Sequence, residues 1–387
     1  MRSAFCLWRH RIDRIDFITT PVFPLTGVGA LRSTKSRTGQ TPGDVTRAYT
    51  QISRLVKDAG LLERTRGFYG ALAAGLTLAL LALGAAFLLL GDSWFQLLVA
   101  AGLGIVFTQF AFLAHEASHR QILQSGPAND RLGRTLATLV VGISYSWWMT
   151  KHSRHHANPN RRGKDPDIEW DTVSFVEEDA ARQRGLLGLV TRKQGFFFFP
   201  LLLLEGINLH YRSIRLLIER GPVAGRFLEL GFIAARFAIY LTLVFAVLPL
   251  GMAAAFLGVQ LAVFGLYMGA SFAPNHKGMP VIPADTKLDF FSKQVLTSRN
   301  IRGGWWMSAL MGGLNHQVEH HLFPSMPRPH LRRARALVRE QCESLDVPYT
   351  ETTLARSYAI VIAYLNRVGL SARDPFDCPL VNRFRRP

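Results

Sequence analysis

Eight of the twelve histidines in this 387-residue chain fall into three groups spaced like one face of a helix. His115 and His119 are four apart, His152 is followed by His155 and His156, and His320 and His321 stand side by side with His316 and Gln317 just before them. Residues at i, i+3 and i+4 share a helix face, so each group can aim two or three imidazoles at one point. Neutral imidazole is the commonest metal ligand among side chains. Three converging faces offer more nitrogens than one four-coordinate zinc takes. The arithmetic favours two metals, and imidazole without thiolate suits iron, zinc, copper or nickel.

The elements that must position these groups read as membrane helices. Residues 68–90 carry no charge and as a helix reach about 34 Å, enough to cross a bilayer. Residues 94–114 follow after only Gly91-Asp92-Ser93, and residues 233–250 and 252–273 form a second pair. The pattern predicts an all-α integral membrane protein, with four transmembrane helices in two hairpins and a cytosolic helical cap carrying the histidines. Arg236 lies inside the third apolar run and is expected to snorkel to one interface. The formal net charge is +18, which taken alone points to nucleic acid. Its placement argues for topology instead. No Lys or Arg occurs between Gly67 and His119, or between Phe237 and His276. Both hairpin tips are then outside and every histidine group faces the cytosol, with anionic lipid or an acidic partner as a second use of the charge. Asn275-His276, just past the fourth run, falls at the same depth; His276 reads equally as a ligand or a surface residue.

Residues 1–43 are rich in Arg, Thr and Gly and fit a flexible leader, or a start codon assigned too early. A membrane domain is expected over 44–345 and a cytosolic tail over 346–387. Residues 44–66 have the periodicity of an amphipathic helix entering the membrane. The apolar stretches 136–149 and 195–204 are too short to span and suit the interface or a buried site. A basic helix is expected at 331–345, followed by another helix at about 353–368. The three cysteines, Cys6, Cys342 and Cys378, are scattered, with no disulfide framework, as a reducing compartment would allow.

His115-Glu116-Ala117-Ser118-His119 also fits HExxH, the zinc-protease signature with Glu116 as base. A membrane zinc metalloprotease is therefore a competing reading, but it has no use for the later histidines. A non-enzymatic lipid- or haem-binding protein would not need eight clustered ligands. His10 and His330 read as solvated, and His210 as structural.

The three boxes HxxxH, HxxHH and QxxHH, and their placement around the two hairpins, resemble the integral-membrane fatty acid desaturase family. The stretches from Trp147-Trp148 to His156-Ala157-Asn158-Pro159-Asn160 and from Asn315 to His320-His321-Leu322-Phe323-Pro324 carry the likeness most strongly. It is nearest to bacterial, especially actinobacterial, acyl-CoA or acyl-lipid desaturases and to front-end desaturases with Gln in the third box. The resemblance implies a bacterial plasma-membrane enzyme that inserts a cis double bond into an acyl chain on CoA or phospholipid, with O2 and a non-haem di-iron centre. By that likeness His115, His119, His152, His155, His156, His320 and His321 match family ligands, and His276 matches the extra histidine after the last span. Gln317 stands where other branches have histidine, which leaves one position to His316, Gln317 or a water, with Asn275 nearby. Asp165, Asp167 and Glu169 either orient imidazoles or form an acidic loop among arginines. Trp147, Trp148, Trp305 and Trp306 either line the acyl tunnel or anchor at the interface. The chain has no His-Pro-Gly-Gly haem motif, ferredoxin-type cysteine set or GxGxxG after a strand. Electrons are then expected from a separate ferredoxin or reductase, with the Arg-rich stretch 331–339 as a candidate dock. A related alkane or lipid hydroxylase or a carotenoid oxygenase would use similar boxes.

Overall fold

The computed structural model describes residues 42–169 and 172–370. The expected leader, apart from its last two residues, and positions 371–387 of the expected tail lie outside the described residues. Helix α1 (Pro42–Asp58) precedes α2 (Arg66–Leu90) and α3 (Gln96–Ser118); then come α4 (Gly126–Thr135), a π-helical turn (Leu136–Val141) and α5 (Tyr145–Ala157). Short helices α6 (Glu177–Arg182), α7 (Gly185–Thr191) and α8 (Gln194–Leu202) lead into α9 (Glu205–Ile218). The long helices α10 (Arg226–Val247) and α11 (Leu250–His276) follow. The remainder is α12 (Phe290–Leu296), β1 (Asn300–Ile301), α13 (Trp305–Leu310), α14 (Gln317–Leu322), α15 (Arg328–Ser344), β2 (Glu351–Thr352) and α16 (Leu354–Leu370).

Helices α2, α3, α10 and α11 are long and apolar enough to cross a membrane. Helix α3 is the central one, packed between α2 and α11. Its most apolar window is 61% buried within the protein, against 6% for α2 and 11% for α10. The bare flanks of those two helices are large contiguous apolar surfaces, which water would not tolerate and lipid does.

The helices run past the apolar stretches read from the sequence. Helix α3 continues to Ser118, so His115 lies in its last turn, and α11 continues to His276. Helix α10 begins at Arg226, seven residues earlier than expected. Arg236 does not snorkel: its guanidinium lies over the rings of Phe107 and Tyr240 at 4.7 and 4.3 Å and its Nε donates to the Val140 carbonyl at 2.9 Å. That carbonyl lies in the last turn of the π-helical segment, which ends at Val141, and the last carbonyls of a helix have no intrahelical donor. Helix α9 lies close against α11 where Gly206 meets the Leu261 carbonyl, a spot with no room for a Cβ. Past residue 345, β2 pairs in parallel with β1, and α16 packs on α8 and α11.

Candidate metal centre

Each histidine group sits at a helix end that the local sequence fixes. His115 and His119 lie one turn apart where α3 stops, the backbone N–H of His119 still donating to the His115 carbonyl at 3.2 Å. Helix α5 is capped by Ser144, whose hydroxyl accepts from the Trp147 N–H at 3.0 Å, an N-cap bond; His152, His155 and His156 fill its last two turns. Helix α14 is reached through Gly312 and Gly313, at φ of 58° and 82°. A Cβ on Gly312 would strike Phe112 and one on Gly313 would strike Arg328, so only glycine makes this turn.

The groups converge. His115, His119, His152, His156 and His320 bring one ligand nitrogen each to within 4.8 Å of one another, and so do His155, His276 and His321. Helices α5 and α14 serve both sets, because adjacent residues on a helix point in different directions. The Nε2 atoms of His115 and His119 lie 3.0 and 2.8 Å from that of His152, and those of His155 and His276 are 3.3 Å apart. Two nitrogens each about 2.0–2.1 Å from one ion are roughly 2.8–3.4 Å apart at octahedral to tetrahedral angles. The Nε2 atoms of His156, His320 and His321 are buried with no hydrogen-bond partner among the described residues. Buried polar atoms are rarely left so, and a metal ion would satisfy them. The donor set fits non-haem iron.

Ionisation agrees. Burial, reinforced by neighbouring imidazoles, holds His152, His156, His320 and His321 well below their ordinary pKa, and burial takes His119 down to about 3. These rings are neutral, the form that binds metal. His155 differs: burial opposes its charge, yet Asp165 and Asp167 outweigh it and raise its pKa.

The second set is oriented from behind. His155 Nδ1 meets the Asp165 carboxylate at 3.0 and 3.1 Å, His276 Nδ1 the Thr297 carbonyl at 2.9 Å, and His321 Nδ1 the Gln294 Oε1 at 2.9 Å. Each contact selects the tautomer that donates at Nδ1 and turns a bare Nε2 to the centre. Asp165 is fully buried and also accepts from the backbone N–H of Asn160 and of Asp167; Asp167 pairs with Lys151 at 2.9 Å.

Gln317 and Asn275 border the second set. The Gln317 amide nitrogen lies 2.8 Å from His276 Nε2, and its oxygen accepts from the Asn275 amide at 3.1 Å. His316 is in neither set; its Nδ1 is 4.0 Å from Glu319. Trp148 stacks on His152 with ring centres 4.6 Å apart and edges His115 and Phe272. Trp147 is half-buried, with Lys151 over its ring. Trp305 and Trp306 are 80% and 54% exposed at the start of α13. His210 lies apart, its ring nitrogens facing the Gly206 and Val141 carbonyls. His330 is half-buried rather than solvated, 2.8 Å from the Leu61 carbonyl; His10 lies outside the described residues.

Sequence reading missed the partners that fix these rings, Gln294 and the Thr297 carbonyl, because nothing in their spacing marks them. It also missed Arg328. Both oxygens of Glu116 accept from the Arg328 guanidinium at 2.6 Å, and Tyr69 donates to the same carboxylate at 3.3 Å. Glu116 therefore points off the metal-facing side of α3 and is held by a buried cation, which leaves it unfit as the base of an HExxH protease. Glu319, within the third box, accepts from the Asn300 amide and the Tyr349 hydroxyl, both at 2.7 Å. Burial still lifts its carboxyl to about 7.

Residues 92–353, more than half of the chain, match the family model described as fatty acid desaturase. The chain is 29% identical over 348 residues to a Delta(8)-fatty-acid desaturase of Helianthus annuus, covering 86% of this chain and 75% of the relative. It is 26% identical over 336 residues to a Delta(6)-fatty-acid desaturase of Caenorhabditis elegans, covering 83% and 75%. A Delta 8-(E)-sphingolipid desaturase of Kluyveromyces lactis is 27% identical over 320 residues, covering 76% and 55%. These relatives are a plant, a nematode and a yeast protein rather than members of the bacterial branch. With four helices long and apolar enough to cross a membrane, two converging histidine sets and a family match that spans both sets, the chain belongs to the fatty acid desaturase family and is a membrane oxidoreductase of that class.

Proposed function

We propose that this enzyme inserts a cis double bond into an acyl chain carried by phospholipid or CoA, using O2, two irons and electrons from a separate carrier. The observation that carries this reading is the pairing of two buried imidazole sets on shared helices. One ion would be held among His115, His119, His152, His156 and His320, and the other by His155, His276 and His321, with Gln317 and Asn275 beside it. When bound, the irons would supply with O2 the oxidising power to take two hydrogens from adjacent methylenes, a step no protein side chain performs.

The chain's own residues orient and exclude. Asp165, the Thr297 carbonyl and Gln294 would keep three rings in the ligating tautomer. Trp148 and Phe272 beside His115 form an apolar wall that would keep water from the reacting carbon and guide the acyl chain; Trp147 is a weaker candidate for that wall. The exposure of Trp305 and Trp306 favours anchoring at the interface. Helices α2–α3 and α10–α11 are read as two hairpins with tips outside and the histidines on the cytosolic face, because the tips lack Lys and Arg. Arg332 and Arg333 on α15 are exposed and would meet an acidic ferredoxin or reductase. Relatives named for the Delta(6) and Delta(8) positions make those the first product positions to examine.

Metal analysis of detergent-purified protein is expected to find close to two irons per chain; one zinc with negligible iron would overturn the reading. Expression in a host lacking the corresponding activity, followed by lipid mass spectrometry, is expected to reveal a new unsaturated acyl chain. A hydroxylated product would move the protein to hydroxylase chemistry.

A further inference from the structure

Helix α11 runs on to His276 but lacks one backbone hydrogen bond two residues before it, at Pro274. Pro274 has no N–H, so the Ala270 carbonyl loses its helical donor; the Tyr358 hydroxyl donates to it instead, at 2.8 Å. The Pro274 carbonyl accepts from the Ser357 hydroxyl at 2.7 Å and from Nε and a terminal nitrogen of Arg299 at 2.9 and 2.5 Å. The same guanidinium reaches the Lys277 carbonyl at 2.8 Å, and the Arg299 N–H donates to the Asn275 carbonyl at 2.8 Å. Arg299 thus holds carbonyls on both sides of His276, while His276 Nδ1 rests on the Thr297 carbonyl two residues before Arg299.

Arg299 is 1% exposed and has no carboxylate partner among the described residues. A buried cation without an anion is costly unless its donors are well satisfied. Here its compensation is the carbonyl end of α11, where the helix dipole favours positive charge. In the first set, His115 Nδ1 has no partner among the described residues.

We propose that Arg299 is a positioning residue: by locking the last turn of α11 to residues 297–299 it aims His276, and so sets the affinity of the second metal-binding set alone. This rests on reading His155, His276 and His321 as ligands. Lys in its place would keep the charge but lose the fork that spans two carbonyls.

The test is cobalt(II) titration of metal-free wild type, Arg299→Gln and Arg299→Lys, followed by absorption and stoichiometry, with melting of the metal-free proteins alongside. Wild type is expected to take two ions. Arg299→Gln is expected to keep the first at wild-type affinity and bind the second about 10–100-fold more weakly, the size of effect that loss of an outer partner usually has. Arg299→Lys should fall between. Ser357→Ala, which removes one donor to the same carbonyl, should shift the second ion in the same direction by less. Two ions bound by Arg299→Gln at wild-type affinity would overturn the proposal, as would both sites weakening together in step with melting temperature. If Arg299→Gln does not fold, the Lys variant decides on the same criteria. Wild type binding a single ion would instead defeat the two-metal reading, and the proposal with it.

Discussion

Two neighbours in one motif, Glu116 and His119, have opposite duties. His119 turns its Nε2 into the first imidazole set, while Glu116 turns away to Arg328, with 2% and 5% of the paired side chains exposed. His119→Ala is therefore expected to remove metal and unsaturated product together, product falling at least about 100-fold since the chemistry depends on the ion. Glu116→Gln removes a charge and strands a buried guanidinium, which costs about 3–5 kcal/mol. It should lower the melting point, keep iron and leave part of the desaturation. Wild-type product and iron in His119→Ala would exclude that cluster as a ligand set. Loss of all activity in a folded, iron-loaded Glu116→Gln would restore a direct role for the carboxylate.

The helices contribute direction rather than ligands alone. Successive residues on α5 and α14 diverge, so each helix feeds both sets, and that division depends on the rotation of each helix about its axis. For α14 the rotation is set by the Gly312-Gly313 turn. Gly312→Ala adds a left-handed cost of about 1–2 kcal/mol and drives a methyl into Phe112, with overpacking strain of about 1–3 kcal/mol more. The expected result is a protein that melts earlier and carries less iron, because His320 and His321 move together. Unchanged iron content and melting would show that the turn does not aim the third box. The end of the π-helical turn has a similar part: its free Val140 carbonyl holds Arg236, a residue the apolar pattern alone would send to the interface.

At the scale of the whole molecule, α3 is the buried axis and α2 and α10 present apolar flanks to lipid. The asymmetry of charge along the chain makes orientation testable. In a chain whose native cysteines are replaced, Asp92→Cys and Gly251→Cys are expected to react with an impermeant thiol reagent added to intact cells, and Ser153→Cys is not. The reverse pattern would invert the topology.

The histidine boxes, the four apolar runs and the bias of Lys and Arg were legible in the sequence because each depends on spacing or composition within a few turns of helix. Helix ends were less so: hydropathy stops where polarity begins, but α3 and α11 continue into polar residues because packing shields them, and His115 and His276 ride on those extra turns. Which imidazoles meet at which ion, and what holds them there, belongs to the tertiary structure. Arg328 lies 212 residues from Glu116, and Tyr349 30 residues from Glu319. Pro274 could be recognised as a helix breaker, yet Tyr358, Ser357 and Arg299, which donate to the carbonyls around it, arrive from later segments. Spacing constrains groups on one helix, whereas contacts between helices depend on crossing and rotation, which no local pattern encodes.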